Sequence, residues 1–132
     1  MRVVVDTNVI VSALLNPYGP SAQIVSLLLA GDLTACCDFR IFQEYKTVLS
    51  RPKFSFSSEA VEDLLGLIEA EALWAAPKPL KFRLADTSDE MFLETALAAR
   101  ADYLITGNLK HFSLVRDVPI CSPAKFIQIY RS

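Results

Sequence analysis

Four carboxylates fall where the chain changes from one regular segment to the next, or on a helix beside such a change. Asp6 ends the apolar run Arg2-Val3-Val4-Val5 and is followed by Thr7 and Asn8, Glu44 lies within the helical stretch 39–49, and Asp86 and Asp89 bracket Thr87 and Ser88. Each has an ordinary alternative. Asp6 reads equally well as the N-cap of a helix beginning near Val9, Glu44 as a solvated helix residue, and Asp86 and Asp89 as acids facing the positive end of a helix dipole. Taken together they say more. Carboxylates that converge from separate elements repel one another unless a divalent cation lies between them. Oxygen-only ligation suits Mg²⁺ or Mn²⁺, and the chain has neither a Cys/His ligand set nor a GxxxxGK[ST] loop. Its single histidine, His111, gives poor support to a serine or cysteine triad. The reaction class these residues permit is metal-assisted phosphoryl chemistry.

The elements that must position them follow from periodicity. Residues 2–5 are continuous and β-branched, which suits a strand buried on both faces of a parallel sheet. Further strands are expected at 33–37, 73–76, 102–106 and 119–121. Helices are expected from Pro20 to the stop at Gly31, over 39–49 until Pro52, from the Ser57-Ser58 cap to about Ala72, over 91–98, and from Ser122-Pro123 onward. Thr87 with Glu90 three residues later reads as a capping box that puts Asp89 in the first helical turn. Strands alternating with helices predict a three-layer α/β/α, Rossmann-like fold with a parallel sheet of four or five strands. Ligands of such sheets bind at the carboxyl ends of the strands, where the strand order reverses.

A length of 132 residues predicts a single domain over 1–132, and 52% apolar with 21% charged residues excludes a disordered chain. A net charge of -2 argues against holding nucleic acid or membrane by bulk charge. No stretch approaches the ~20 apolar residues of a membrane span or the core of a signal peptide, so a cytoplasmic protein is expected. Cys36, Cys37 and Cys121 form no CxxC pair and are expected as buried, reduced thiols.

The opening VVVDTNVIVSALLNP, the helix FQEYKTVLSRPKF and the block DTSDEMFLETALAARADYLITGN resemble the PIN-domain family, in particular the VapC-type toxins of toxin–antitoxin pairs. The resemblance covers essentially the whole chain. It implies an Mg²⁺- or Mn²⁺-dependent endoribonuclease that hydrolyses RNA with metal-activated water and is neutralised by a small antitoxin. The family's acidic ligands map onto Asp6, Glu44 and Asp89, with Asp86 as an accessory acid. Thr7, Asn8 and Thr106 are expected to orient the acids. Many members carry a fourth Asp where this chain has Asn108. A neutral amide offers one carbonyl oxygen, so a second ion would be held less tightly. Because an acidic site repels RNA, basic residues are needed at its rim, and Lys46, Arg51 and Lys53 after Glu44, with Lys110 and His111 after Asn108, are the candidates.

Two other functions compete. One is a non-catalytic binding or regulatory module on the same fold, with Asn108 as its signature. The other is a phosphohydrolase with Asp6 as nucleophile, which lacks the expected lysine at the end of a later strand. The apolar content, with Phe54, Phe56 and Leu-rich helices, is consistent with a homodimer or an antitoxin contact.

Overall fold

Val3, Val4 and Val5 retain at most 1% of their solvent exposure, which a strand achieves only where helices cover both faces of its sheet. In the computed structural model, which describes residues 1–132, this strand (β1, Arg2–Val5) is the centre of a five-stranded sheet. The others are β2 (Thr34–Cys37), β3 (Leu73–Trp74), β4 (Tyr103–Ile105) and β5 (Ile120–Cys121), all paired in parallel in the order β3-β2-β1-β4-β5. Six helices flank it: α1 (Thr7–Leu15), α2 (Pro20–Leu29), α3 (Phe39–Leu49), α4 (Ser58–Glu71), α5 (Glu90–Ala99) and α6 (Pro123–Arg131). The result is the expected three-layer α/β/α arrangement.

The chain builds outward from β1 through β2 to β3, then returns to place β4 on the other side of β1. That reversal falls at the carboxyl ends of β1 and β4, where sheets of this kind have their ligand-binding crevice. The register Val5↔Ile105 and the bond from Asp6 N to Ile105 O (2.9 Å) carry the pairing to the last strand residue, so Asp6 and Thr106 leave the sheet side by side. Under the crevice, α5 packs on β1, β2 and β4. Its Phe92 and Leu93 are 2% and 0% exposed and join Ile10, Ile24, Ile41, Leu104 and Phe126 in one core.

Several boundaries differ from expectation for identifiable reasons. The helix after Asp6 starts at Thr7. The third strand has only two residues, although Ala75 N still donates to Cys37 O (2.9 Å) beyond it. The Thr87/Glu90 capping box does not form. Asp86, one residue earlier, takes the cap by accepting from Ser88 N (3.0 Å), and a 3₁₀ turn over Thr87–Asp89 precedes α5. Glu90 turns away instead and accepts from Leu84 N (2.9 Å). The expected caps at Ser57 and Ser122 do form, on Ala60 N (3.4 Å) and Lys125 N (3.1 Å).

Candidate functional site

Asp6 enters the crevice from the end of β1 with 6% of its surface exposed. Its Oδ2 accepts from the Thr106 hydroxyl at 2.8 Å, while Oδ1 caps α1 only weakly, at 3.5 Å from Asn8 N. The N-cap reading therefore holds, while the stronger bond of the same side chain is directed across the sheet. Burial raises the Asp6 carboxyl above its ordinary value, the Thr106 bond opposes this, and the nearby Asp89 charge adds to the rise.

Asp89, at the start of α5, is 7% exposed and hydrogen-bonded to His111 Nδ1 at 2.8 Å. Burial raises its carboxyl too; His111 pulls it down, and the charges of Asp86 and Glu44 push it up. Glu44 lies half-buried on α3, and its carboxylate accepts from the Thr7 hydroxyl. Asp6 thus feels Asp89, and Asp89 feels both Asp86 and Glu44, as like charges facing one crevice do. The tightest group of ligand atoms, within 4.8 Å of one another, is Asp86, Asp89 and His111 rather than Asp6, Glu44 and Asp89. Asp86 is exposed, and its carboxyl is lowered by the hydroxyl and backbone N–H of Ser88.

The accessory residues tie the crevice together. Asn8 Oδ1 accepts from Gly107 N (3.0 Å), and Thr106 Oγ1 accepts from Asn108 N (3.0 Å). A Cβ at position 107 would lie 3.3 Å from Asn8 Oδ1, so a side chain there would press on this bond. Asn108 itself is exposed and precedes a 3₁₀ turn over Leu109–Phe112. Phe112 is 3% exposed and anchors this turn in the core, which holds the backbone that carries His111.

The basic residues divide into two sets. Lys110 and His111 line a cavity of about 450 Å³ with Arg83 and Arg116, next to the acids. Lys46 and Arg51 line a separate groove of about 320 Å³ with Leu49, Phe56 and Val61. Two positions along a helix point to different sides, so Lys46 does not share the direction of Glu44. Lys46 instead lies 5.9 Å from the Phe42 ring centre, and Lys53 5.1 Å from that of Phe54.

Residues outside the sequence reading also shape the site. Glu90 and Glu94, 8% and 7% exposed, hold the segment that leads into Asp86. Glu90 binds Leu84 N and Arg83 (3.1 Å), and Glu94 binds Leu80 N (2.9 Å) and Arg40 (2.7 Å). Arg40 also pairs with Asp38, which caps α3 through Ile41 N (2.9 Å). Tyr45, buried beneath the site, donates its hydroxyl to Val5 O. An Asp before a helical run is a readable cap signal, whereas residue type does not set Glu94 apart. Their partners are not local and leave no local pattern.

All three cysteines are free and buried, with thiols pushed up to about 11 for Cys36 and Cys121 and about 12 for Cys37. No helix is long and apolar enough to cross a membrane.

A family model described as "PIN domain" matches residues 2–110. That span contains Asp6, Glu44, Asp86, Asp89 and Asn108 and stops one residue before His111. Among solved structures, one of VapBC2 from Rickettsia felis bound to a DNA fragment from their promoter is similar at a TM-score of 0.58. The match covers 92% of this chain and 98% of that one with 18% sequence identity, and so speaks to the fold. No curated protein matches the chain.

Proposed function

The chain belongs to the PIN domain family, and from that premise we propose that residues 1–132 act as one unit, a divalent-metal-dependent endoribonuclease and the toxin of a toxin–antitoxin pair. The observation that carries this reading is that two buried acids, Asp6 at the end of β1 and Asp89 ahead of α5, lie at the switch point of the sheet, with Glu44 of α3 near Asp89. Asp6 and Asp89 are more than nine-tenths buried, the Asp89 charge adds to the rise of the Asp6 carboxyl, and the Glu44 charge adds to that of Asp89. Such a cluster is unfavourable alone and favourable around a cation.

The donor set fits Mg²⁺ or Mn²⁺: hard carboxylate oxygens with one imidazole, and no thiolate, since the cysteines are buried with raised pKa values. Asp6, Glu44 and Asp89 would hold the ion, with Asp86 beside them. When bound, the ion polarises a phosphate oxygen and lowers the pKa of the attacking water. Thr106 and Thr7 orient Asp6 and Glu44 by hydroxyl donation, and the Asn8–Gly107 bond fixes the strand ends from which they project. Lys110, with Arg83 and Arg116, supplies positive charge for the RNA backbone beside the acids. Lys46 and Arg51 would meet it only where the chain of RNA extends across α3. Asn108 leaves a second ion weakly held.

An antitoxin that covers the acidic crevice is part of the proposal, supported by the similarity of the fold to VapBC2. Exposed apolar side chains at Tyr18, Phe39 and Leu114 (91%, 76% and 89% exposed) suit such a contact or a homodimer. The test is cleavage of single-stranded RNA by the purified chain with Mn²⁺ and with chelator. Cleavage with Mn²⁺ and its loss in Asp6→Asn are expected; equal cleavage by Asp6→Asn removes the reading.

A further inference from the structure

We propose that His111 is a nitrogen ligand of the divalent ion, and that through it the site prefers Mn²⁺ to Mg²⁺. The proposal rests on the reading that an ion binds among Asp6, Glu44 and Asp89, and adds to it a side chain from outside the region matched by the family model.

Three observations carry it. The first is distance: His111 Nδ1 is 2.8 Å from Asp89 Oδ2, and ligand atoms of Asp86, Asp89 and His111 lie within 4.8 Å of one another. An ion with bonds of about 2.1–2.2 Å to each of these ligands needs its donors about 3 Å apart, so a modest closure of Asp86 completes the set. The second is rigidity. The imidazole stands on a 3₁₀ turn whose next residue, Phe112, is buried, and the backbone N–H of His111 is tied to Asn108 O at 3.0 Å. The third is free valence: Asp86 uses only Oδ1 for its bonds to Ser88, Asp89 Oδ1 has no hydrogen-bond partner, and the one bond of His111 Nδ1 is to Asp89 itself. His111 approaches from the same strand-end segment as Asn108, and its nitrogen supplies an uncharged donor on the side where Asn108 supplies no carboxylate.

The chemical consequence is selectivity. Mg²⁺ is the smaller, harder ion and keeps oxygen ligands, whereas a nitrogen donor shifts the balance toward first-row transition ions, of which Mn²⁺ is the weakest binder. Coordination requires the neutral ring, so any proton on Nδ1 is released to solvent as the ion replaces the bond to Asp89.

The test uses the full chain with Mn²⁺ or Mg²⁺ as the only added ligand. Pulsed electron paramagnetic resonance of bound Mn²⁺ is expected to show ¹⁴N modulation in the wild type and none in His111→Gln. Calorimetry is expected to show a loss of Mn²⁺ affinity of about tenfold or more in that variant, with Mg²⁺ affinity changed far less. Asp86→Asn, at an exposed position, is expected to weaken Mn²⁺ binding while retaining the ¹⁴N signal, and serves if His111→Gln melts early. Bound Mn²⁺ without ¹⁴N modulation, or an unchanged Mn²⁺/Mg²⁺ ratio in His111→Gln, overturns the role of His111 and leaves the ion reading intact. Absence of ion binding to the wild type at millimolar concentration overturns both.

Discussion

Truncating Glu94 tests whether the segment before Asp86 is held by buried carboxylates rather than by its own sequence. Glu94 is 7% exposed, accepts from Leu80 N at 2.9 Å and pairs with Arg40 at 2.7 Å. A hydrogen bond to a charged acceptor contributes about 1.5–3 kcal/mol. The Arg40 side chain is 47% exposed, which limits that pair to about 1 kcal/mol or less. Leu80 is half-buried, so its freed N–H regains some water and the lower part of the first range applies. Glu94→Ala is therefore expected to cost about 2–3 kcal/mol, or about 1–1.5 M in urea midpoint for a slope near 2 kcal/mol/M. Glu94→Gln keeps an acceptor for Leu80 N and loses only the charge, so about 1 kcal/mol is expected. The assay is urea unfolding followed by circular dichroism. Loosening this segment also frees the Arg83 wall of the basic cavity, so weaker RNA binding accompanies the loss of stability in Glu94→Ala. A change below about 0.5 kcal/mol in Glu94→Ala, within the usual range for an uninvolved surface site, would refute the clamp.

Asp6 provides a pH test. Its carboxyl is raised in the folded state, so its contribution is full below the ordinary 3.8 and is lost as pH rises through the raised value. Without ions, Asp6→Asn should therefore melt higher than wild type at pH 7, with the difference shrinking toward pH 4; a lower melting point at pH 7 contradicts this. Mn²⁺ should raise the wild-type melting temperature at pH 7 and leave Asp6→Asn nearly unmoved. Phe92→Ala, at a site 2% exposed beneath the crevice, should cost about 3–5 kcal/mol in chemical unfolding. Thiol labelling at pH 8 should find none of the three cysteines reactive in the native protein and all of them reactive in denaturant, as burial and the raised pKa values of 36, 37 and 121 require.

What was legible in the chain was local. The run of valines announced a strand covered on both faces, and Asp6 directly after it announced an acid at the strand's end, because both signals lie within six residues. Alternating segments gave parallel pairing, whereas the order β3-β2-β1-β4-β5 depends on side-chain packing that no periodicity records. The capping box failed through local competition: Asp86 is as good a cap as Thr87, and Glu90 had a buried alternative in Leu84 N. The bonds of His111 to Asp89 and of Glu94 to Arg40 and Leu80 join positions 14 to 54 residues apart. His111 stands out in the sequence as the lone histidine and Glu94 does not, and only the fold supplied the partners of either.

The partners also distinguish structural acids from those at the proposed ion site, which a net charge of -2 conceals. Asp38 and Glu94 are both paired with Arg40, and Glu90 with Arg83. Asp6 and Glu44 have no basic partner, and each is held by a threonine hydroxyl. An arginine cancels a carboxylate's charge and occupies its oxygens in a bidentate-capable fork, so an acid paired in this way is poorly placed to attract a cation. A hydroxyl orients one oxygen and leaves the charge in place, at a cost in stability that an ion can reverse. Asp89 stands between these cases, since the imidazole beside it neutralises it only when protonated and becomes a ligand when neutral. The choice of threonine over arginine beside Asp6 and Glu44 is therefore the local argument for a cation site.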